Sequence, residues 1–365
     1  MPRLAAYFVG LLVALVSIST AYAEPACQVQ ALETLGGLGT TTRDMNDRGQ
    51  IVGLSDATRD SPDRVVHHAF IWENGSMRDL GALADGAQSA AMAINASGVI
   101  VGSSGLSPRG RDQPVIWQDE SIAPLPFDGE EGVAIDINGA GQIVGRSGDS
   151  TCLLWQDANS EPVELEGLGG DFCLPSAINE DGVIVGRANT ADGEERAFFS
   201  RNGTLRQAES IAHDPLEVSD LRAINVFGLA VGTFGTIESP AAFVWSRRGG
   251  GRILDVADAV PRVVNDWNVI ALIPTSRPFT LLLGDRNGRT LELGDGLNGP
   301  EEPGPFKYVT GFAMNNRFQA AWSVYTTGTE YDHGYTCQLP QRTAIQFALE
   351  AAVGELVSRV DATLP

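Results

Sequence analysis

The chain has 365 residues, of which 25 are Lys or Arg and 46 are Asp or Glu, so its formal charge at pH 7 is -21. Such a field repels nucleic acid and anionic membrane surfaces, whose recognition depends on clustered cations, and we exclude both as partners. Hydrophobic residues make up 43% of the chain and 42 residues are Gly, which is typical of a globular protein with many tight turns rather than a disordered one.

Residues 1–23 have the pattern of a secretory signal peptide. Arg3 supplies the positive charge, residues 4–18 are an apolar run, and Ala21 and Ala23 form an A-x-A cleavage site. An uncleaved membrane anchor is the alternative. No later apolar stretch approaches the roughly 18 residues that a membrane span needs. We therefore predict a secreted or periplasmic protein, monomeric and without stable membrane insertion.

One pattern recurs seven times in the rest of the chain. It consists of an Asn, two variable residues, a third position that is usually Gly, and a short aliphatic run that usually ends in Gly. The clearest copies are INASGVIVG from Ile94, INGAGQIVG from Ile137 and INEDGVIVG from Ile178. The anchoring residues are Asn46, Asn95, Asn138, Asn179, Asn225, Asn265 and Asn315. Their mean spacing of about 45 residues is typical of propeller blades or solenoid units.

Each repeat contains signals for four short strands. The Asn-x-x-Gly turn predicts a hairpin with a three-residue loop and a bulge. A strand such as HAFIW from His68 follows, and an Asn-Gly turn such as Asn74-Gly75 leads into a fourth strand. Helical periodicity is almost absent. We predict an all-β fold in which residues 24–340 form a seven-bladed β-propeller of four-stranded blades; a solenoid is the weaker alternative.

The ends of the chain predict how the ring closes. The seventh repeat lacks its fourth strand, while the segment that starts at Cys27 resembles an isolated copy of it, with Leu32 in the place of Leu80. The N-terminal strand is therefore expected to complete the last blade. Closure of this kind also removes exposed sheet edges.

The four cysteines are predicted to form two disulfides, the default for an even number in an exported chain. The repeat alignment puts Cys27 and Cys337 nearly opposite each other in the last blade. It also puts Cys152, at the start of a third strand, and Cys173, after the fourth strand of that blade, on one face. Free thiols are the alternative. The spacing lacks the close Cys pair of a zinc site, so we predict no metal and no cofactor.

The repeats INxxGxIVG, HAFxW and LxxLGG resemble those of the HAF-repeat family of bacterial extracellular proteins. The most specific matches are His68-Ala69-Phe70 with Trp72, and the segment 32–37, LETLGG. Asn268 and Phe318 depart from the pattern, because they stand where the turn Gly is expected. The resemblance implies export and a repeated β architecture, and it supplies no catalytic residues.

The recurring residues are interpreted as scaffold. Each repeat Asn is expected to cap its own turn through its side-chain oxygen. Trp72, Trp117, Trp155 and Trp245 share one strand position and are expected to pack between blades rather than to stack on sugars. The expected site is instead the channel mouth, on the face that carries four non-repeating loops, residues 55–67, 210–220, 294–308 and 323–332.

Three arginines at one level of the ring are the candidate ligand-binding residues. Arg43, Arg222 and Arg262 each lie three residues before their repeat Asn. Guanidinium groups bind carboxylate or sulfate through paired hydrogen bonds, so they suit an anionic group of a glycan or peptide. The alternative is structural: each arginine forms an interblade salt bridge with an acid such as Asp44, Asp136 or Asp220.

These features favour a binding or interaction module for an extracellular protein or acidic glycan, with no turnover assigned. The alternative is a polysaccharide lyase or glycoside hydrolase of the propeller type. In the lyase interpretation His68 or His333 is the base and Tyr331 or Tyr335 the acid. Third strands lie away from the channel, which argues against that arrangement. A purely structural envelope protein is a third possibility.

The C-terminal segment, residues 341–365, has a different pattern. Apolar residues recur at spacings of three and four, which predicts one apolar stripe on a helix; they are Ile345, Leu349, Ala352, Leu356 and Val360. Packing of this stripe on the propeller rim is the simpler expectation. A docking helix for another protein is the alternative.

Overall fold

The computed structural model of the chain describes residues 27, 29–61, 64–148, 150–201, 203–208, 219–235, 240–256, 258–277, 280–293, 307–326, 332–341 and 343–350. The predicted signal peptide lies outside these residues. In the described part, 28 strands form seven antiparallel sheets of four strands each. The predicted seven-bladed β-propeller is confirmed.

Within each blade the strands are given from the innermost outwards. Blades one to three consist of β2–β5 (Thr40–Met45, Ile51–Ser61, Arg64–Glu73, Ser76–Gly81), β6–β9 (Ser89–Ile94, Ile100–Gly105, Asp112–Gln118, Ser121–Pro124) and β10–β13 (Gly132–Ile137, Ile143–Ser147, Cys152–Trp155, Val163–Glu164). Blades four and five consist of β14–β17 (Gly169–Ile178, Ile184–Thr190, Glu195–Arg201, Thr204–Gln207) and β18–β21 (Ser219–Ile224, Leu229–Gly235, Pro240–Ser246, Gly250–Ile253). Blade six consists of β22–β25 (Ala259–Val264, Ile270–Pro274, Leu282–Gly284, Thr290–Glu292). Blade seven consists of β26–β28 (Lys307–Met314, Gln319–Thr326, Asp332–Gln338) and β1 (Gln30–Ala31).

The last blade combines both ends of the chain, as the sequence predicts. Strand β1 pairs antiparallel with β28, and Gln30 lies opposite Thr336. The backbone N–H of Leu32 then donates to the carbonyl oxygen of Gly334 at 2.8 Å. Leu32 is only 7% exposed, so the closing segment is anchored both by its backbone and by its side chain.

Both predicted disulfides are present. Cys27 and Cys337 are bonded across 310 residues of sequence, with their Cα atoms 5.9 Å apart. Cys152 and Cys173 are bonded across 21 residues, with a Cα separation of 5.4 Å. Cys173 follows the fourth strand of blade three, as expected, and it lies in β14, the innermost strand of blade four. The second bridge therefore joins two blades.

The Asn-x-x-Gly hairpins form as predicted. In blade one, Asn46 Oδ1 accepts hydrogen bonds from the backbone N–H groups of Arg48 and Gln50, at 3.0 and 3.2 Å. Gly49 has a φ of 82°, in the left-handed region that glycine adopts without strain. Asn268 and Phe318 take the same conformation, with φ of 58° and 57°. The turn geometry is therefore retained where the sequence motif is not.

A bulge explains why the aliphatic run after each turn usually ends in Gly. In all seven blades the register between the innermost and second strands shifts by one residue, which brings the two backbones unusually close. A Cβ atom on Gly102 would lie 2.0 Å from the carbonyl oxygen of Ala90, and one on Gly232 would lie 1.9 Å from that of Asp220. A side chain at these glycines would therefore clash with the innermost strand, although blade six forms its bulge with Leu272 at the equivalent position.

Six of the seven repeat asparagines also make a contact that the sequence did not predict. They donate a hydrogen bond from Nδ2 to the carbonyl oxygen of the repeat Asn in the next blade, at 2.9–3.2 Å. We call this ring of side chains the asparagine belt; its members are Asn46, Asn95, Asn138, Asn179, Asn225, Asn265 and Asn315. Each Asn thus caps its own turn through oxygen, and six of the seven join two blades through nitrogen.

The hydrophobic core lies between neighbouring blades. One cluster combines Val52 and Ile71 of blade one with Ile100 and Trp117 of blade two. The indole N–H of Trp117 crosses the same interface to donate to the carbonyl oxygen of Leu80 at 3.0 Å. The four equivalent tryptophans are all buried, at 9% exposure or less, so their predicted packing role is confirmed.

The described C-terminal segment contains a helix over residues 343–350. It packs on the propeller, as expected, but through a different face. Ala344, Phe347 and Ala348 are buried in a cluster with blades six and seven, whereas Ile345 and Leu349 are 37% and 46% exposed. The predicted stripe was therefore wrong at these two positions; its last three members lie outside the described residues. Among the described residues, no helix is long and apolar enough to cross a membrane.

Candidate functional site in the central channel

Arg43, Arg222 and Arg262 occupy one structural position, the bulge of an innermost strand. In each of their blades the ladder to the second strand skips the arginine itself. A bulge re-aims a side chain, and innermost strands line the channel of a propeller. None of the three arginines is fully buried, so all three remain accessible to small molecules.

The structure brings two of these arginines together. Arg222 donates from Nε to Asp220 Oδ2 at 2.8 Å. Arg262, in the next blade, has a lowered pKa, first because burial penalises its charge and next because the charge of Arg222 repels it; Asp220 opposes this shift. Arg262 Nε is buried without a hydrogen-bond partner. Arg222 is thus ion-paired with Asp220, and the charges of both residues act on Arg262.

Arg43 lies against a different partner. Burial lowers the pKa of its guanidinium, and the charge of Asp332 in blade seven opposes the shift. Asp332 Oδ2 accepts a hydrogen bond from Thr41 Oγ1 at 2.6 Å, while its Oδ1 is buried without a partner. The ion pair of Arg222 with Asp220 lies within blade five, so the interblade salt bridge considered for it is not formed.

The other two acids considered as arginine partners bind backbone amides instead. Asp44 Oδ2 accepts from the N–H of Ile94 at 2.9 Å, and Asp136 Oδ2 accepts from the N–H of Ile178 at 2.8 Å. Each bond joins one blade to the next. Burial raises the pKa of Asp44 to about 6. Burial, together with the charge of Asp44, raises that of Asp136 to about 7.

The four non-repeating loops are described only in part. Residues 209–218, 294–306 and 327–331, which carry most of two of them and half of a third, lie outside the described residues. The prediction of a loop over residues 55–67 was wrong, because residues 55–61 and 64–67 continue β3 and β4 as a long hairpin with two register shifts. Its Asp and Ser residues resemble a loop in sequence, but among the described residues the backbone pairing continues to Ser61 and Arg64.

The residues of the lyase alternative lie on outer strands. Nδ1 of His68 lies 2.8 Å from Asp79 Oδ2, in the fourth strand, and this hydrogen bond raises the pKa of the imidazole. Tyr335 is 5% exposed and its ring stacks on Trp322 at 5.9 Å between centroids. Tyr331 lies outside the described residues. No group of three or more potential His, Cys, Asp or Glu metal ligands occurs in the described part of the chain.

No protein-family model matches the chain, and no curated protein matches it. Among similar solved structures, one from the crystal structure of the Mitotic Checkpoint Complex has a TM-score of 0.54 at 12% identity, covering 87% of this chain and 96% of that one. YCF48 bound to D1 peptide has a TM-score of 0.53 at 13% identity, covering 87% and 97%. The β-propeller domain of the Trilobed protease from Pyrococcus furiosus has a TM-score of 0.51 at 10% identity, covering 82% and 94%. At these identities the likeness shows the propeller fold alone.

Proposed function

We propose that the protein is an exported binding module that holds an anionic group of an extracellular partner, an acidic glycan in the first place, between Arg222 and Arg262. The observation that carries this proposal is the charge imbalance at the pair: Arg222 is ion-paired with Asp220, whereas Arg262 is influenced by both charges and has no ion pair of its own in the described structure. A carboxylate or sulfate group would neutralise the excess charge and accept from the free donor of Arg262.

The position of the pair fits such a role. Arg222 and Arg262 lie at bulges of adjacent innermost strands, so a ligand in the channel can reach both. The Arg222 side chain is 38% exposed, which leaves donors free for a ligand. Arg43 contributes positive potential at the same level, although Asp332 offsets part of it.

Three features support export. The N-terminal pattern of residues 1–23 is that of a signal peptide, and the repeats resemble those of the HAF-repeat family. Two disulfides are formed among the described residues, and such bonds persist in oxidising compartments. We therefore assign the protein to the periplasm or the extracellular medium. One similar propeller, YCF48, is bound to a peptide, so an acidic protein segment is the second possible carrier of the anionic group.

Retention on immobilised polymers tests the proposal. The mature protein is passed over polygalacturonate, dextran sulfate, uncharged dextran and polyglutamate. We expect retention on one or both acidic polysaccharides, and about tenfold weaker binding for Arg222→Gln and Arg262→Gln, since a bond to a charged group is worth about 1.5–3 kcal/mol. Arg111→Gln is the matched control, because Arg111 forms an exposed ion pair with Glu130.

The possible outcomes are distinct. Retention on polyglutamate alone would assign the site to an acidic protein partner. Lowered thermal stability with unchanged retention would leave the arginines a structural role only. Ultraviolet absorbance of unsaturated products in the same incubations would favour the lyase alternative.

A further inference from the structure

The face of the ring that carries the Asn hairpins has a cavity of about 230 Å³ at its centre. It is lined by members of the asparagine belt and by the residues beside them in the turns. Arg222 lies three residues before Asn225, which corresponds to ~10 Å along an extended strand. The cavity, here called the hairpin-face cavity, is therefore separate from the arginine pair.

Two exposed aromatic side chains each follow directly after a cavity-lining residue, Val226 or Asp266. Phe227 and Trp267 are the second residues after their belt Asn in the adjacent blades five and six, and they are 74% and 48% exposed. The indole N–H of Trp267 donates to the carbonyl oxygen of Asn316 at 3.1 Å. This bond orients the indole while leaving nearly half of it in solvent, where it can stack on a ligand.

Carboxylates stand beside the indole. Asn316 Nδ2 donates to Asp47 Oδ2 at 2.9 Å and to Asp266 Oδ2 at 2.7 Å. A carboxylate oxygen can accept more than one hydrogen bond, so both groups keep capacity for a ligand. Their positions are already fixed by Asn316, which lowers the entropic cost of binding.

The asparagine belt has its one break at the same place. Asn265 lines the cavity and is 5% exposed. Its Nδ2 has no hydrogen-bond partner in the described structure, whereas the other six belt asparagines donate to the next blade. A buried donor without an acceptor is costly. The junction of blades six and seven therefore offers a donor that a ligand oxygen can satisfy.

These groups together select the chemistry of the ligand. A hydroxyl both donates and accepts, so it can bond to the carboxylates and to the amide. An ammonium group has no acceptor for the amide, and a ligand carboxylate would be repelled by Asp47 and Asp266. Arg48 and Arg317 stand at the same turn position in blades one and seven, where they offset the acidic charge and weaken any attraction for cations.

We propose that the hairpin-face cavity binds a neutral sugar residue. Its apolar face lies on Trp267, and Phe227 extends that surface. Its hydroxyl groups donate to Asp47 and Asp266, and one hydroxyl oxygen accepts from Asn265 Nδ2. This site does not depend on the arginine pair, so the protein has two separate sites for two kinds of ligand.

Calorimetric titration with neutral hexasaccharides of glucose, mannose, xylose and N-acetylglucosamine tests the site. We expect saturable binding of at least one, weakened about tenfold by Trp267→Ala and less by Phe227→Ala, because stacking on an indole offers the larger surface. Trp267→Phe keeps an aromatic face and should retain most of the affinity. Leu106→Ala removes a side chain that is 59% exposed and does not line the cavity; it should change nothing.

Thermal melts identify any variant that fails to fold, and Phe227→Ser is the second test because that side chain is mostly in solvent. Absence of saturable binding by every hexasaccharide would overturn the proposal, as would unchanged affinity in both Trp267→Ala and Phe227→Ser. Binding of a lysine-rich peptide that requires Trp267, without sugar binding, would assign the cavity to a cationic partner instead. Arg222→Gln should leave sugar binding intact, which separates this test from that of the arginine pair.

Discussion

The side-chain Nδ2 of Asn315 donates to the carbonyl oxygen of Asn46 at 3.0 Å, across 269 residues of sequence. This bond joins the last blade to the first at the channel, while β1 and the Cys27–Cys337 disulfide close blade seven nearer the rim. The ring is thus closed both beside the central channel and near its outer rim. Each closing contact opposes the large entropy that the separated ends would gain.

The interblade bonds of the asparagine belt should contribute measurably to stability. Asn95→Asp keeps the turn-capping oxygen but removes the donor to Asn138, and we expect a loss of about 1–3 kcal/mol. Asn265→Asp is the matched control, because its Nδ2 has no bond to lose. Urea denaturation of both variants measures the difference; equal losses would contradict a stabilising role for the belt.

The two disulfides should differ in their effect. In the chain-entropy model, loops of 310 and 21 residues correspond to about 6 and about 3 kcal/mol. Cys27→Ser with Cys337→Ser should therefore lower the free energy of unfolding more than Cys152→Ser with Cys173→Ser. Peptide mapping under non-reducing conditions checks the pairing. A larger loss from the shorter loop would show that strain or packing outweighs chain entropy here.

Asp44 and Asp136 should make the protein less stable as the pH rises. Their pKa values in the folded state, about 6 and about 7, lie above the value of about 3.9 expected for an unfolded chain. Between these values the folded state binds more protons, so the free energy of unfolding falls as the pH rises through the folded pKa. Between pH 5 and pH 8 the change should be on the order of a few kcal/mol.

The variant Asp136→Asn tests this expectation. It keeps an oxygen to accept from the N–H of Ile178 and removes the charge, so it should be more stable than the wild type at pH 8 and similar to it at pH 5. Denaturation at the two pH values provides the comparison. The same pH dependence in wild type and variant would mean that other groups cause it.

The C-terminal helix should stabilise the propeller through Phe347. This side chain is 8% exposed and lies in the core cluster of blades six and seven, with the guanidinium carbon of Arg289 5.6 Å from its ring centroid. Phe347→Ala should cost about 3 kcal/mol. Leu349→Ala, at a side chain that is 46% exposed, should cost little. Similar thermal shifts in both variants would contradict the observed packing face.

Much of the fold was determined by the sequence alone, because its signals are local or repeated. The Asn-x-x-Gly turns predict one hairpin per blade. Their period of about 45 residues is typical of blades, and their seven copies give the number of blades. The resemblance of the segment around Leu32 to the fourth strands predicts the closure and with it the pairing of Cys27 with Cys337. These inferences need only alignment of the repeats with one another.

The candidate site depended on the tertiary structure. The spacing puts Arg43, Arg222 and Arg262 at one level, but only the structure shows that Arg222 and Arg262 form a pair beside Asp220 while Arg43 faces Asp332. Asp136 binds the N–H of the next blade rather than an arginine. Contacts between blades depend on the rotation from one sheet to the next, and no local sequence pattern records that rotation.

The C-terminal helix shows the same division. Its periodicity predicts a helix, yet two sets of residues could supply the buried face. Ala344 and Ala348 are buried with Phe347, whereas the larger Ile345 and Leu349 face solvent. Small side chains let the helix backbone approach the sheet closely, so the shape of blades six and seven decided which face packs. The sequence determined each unit and its turns, and the geometry between units was decided only in the assembled ring.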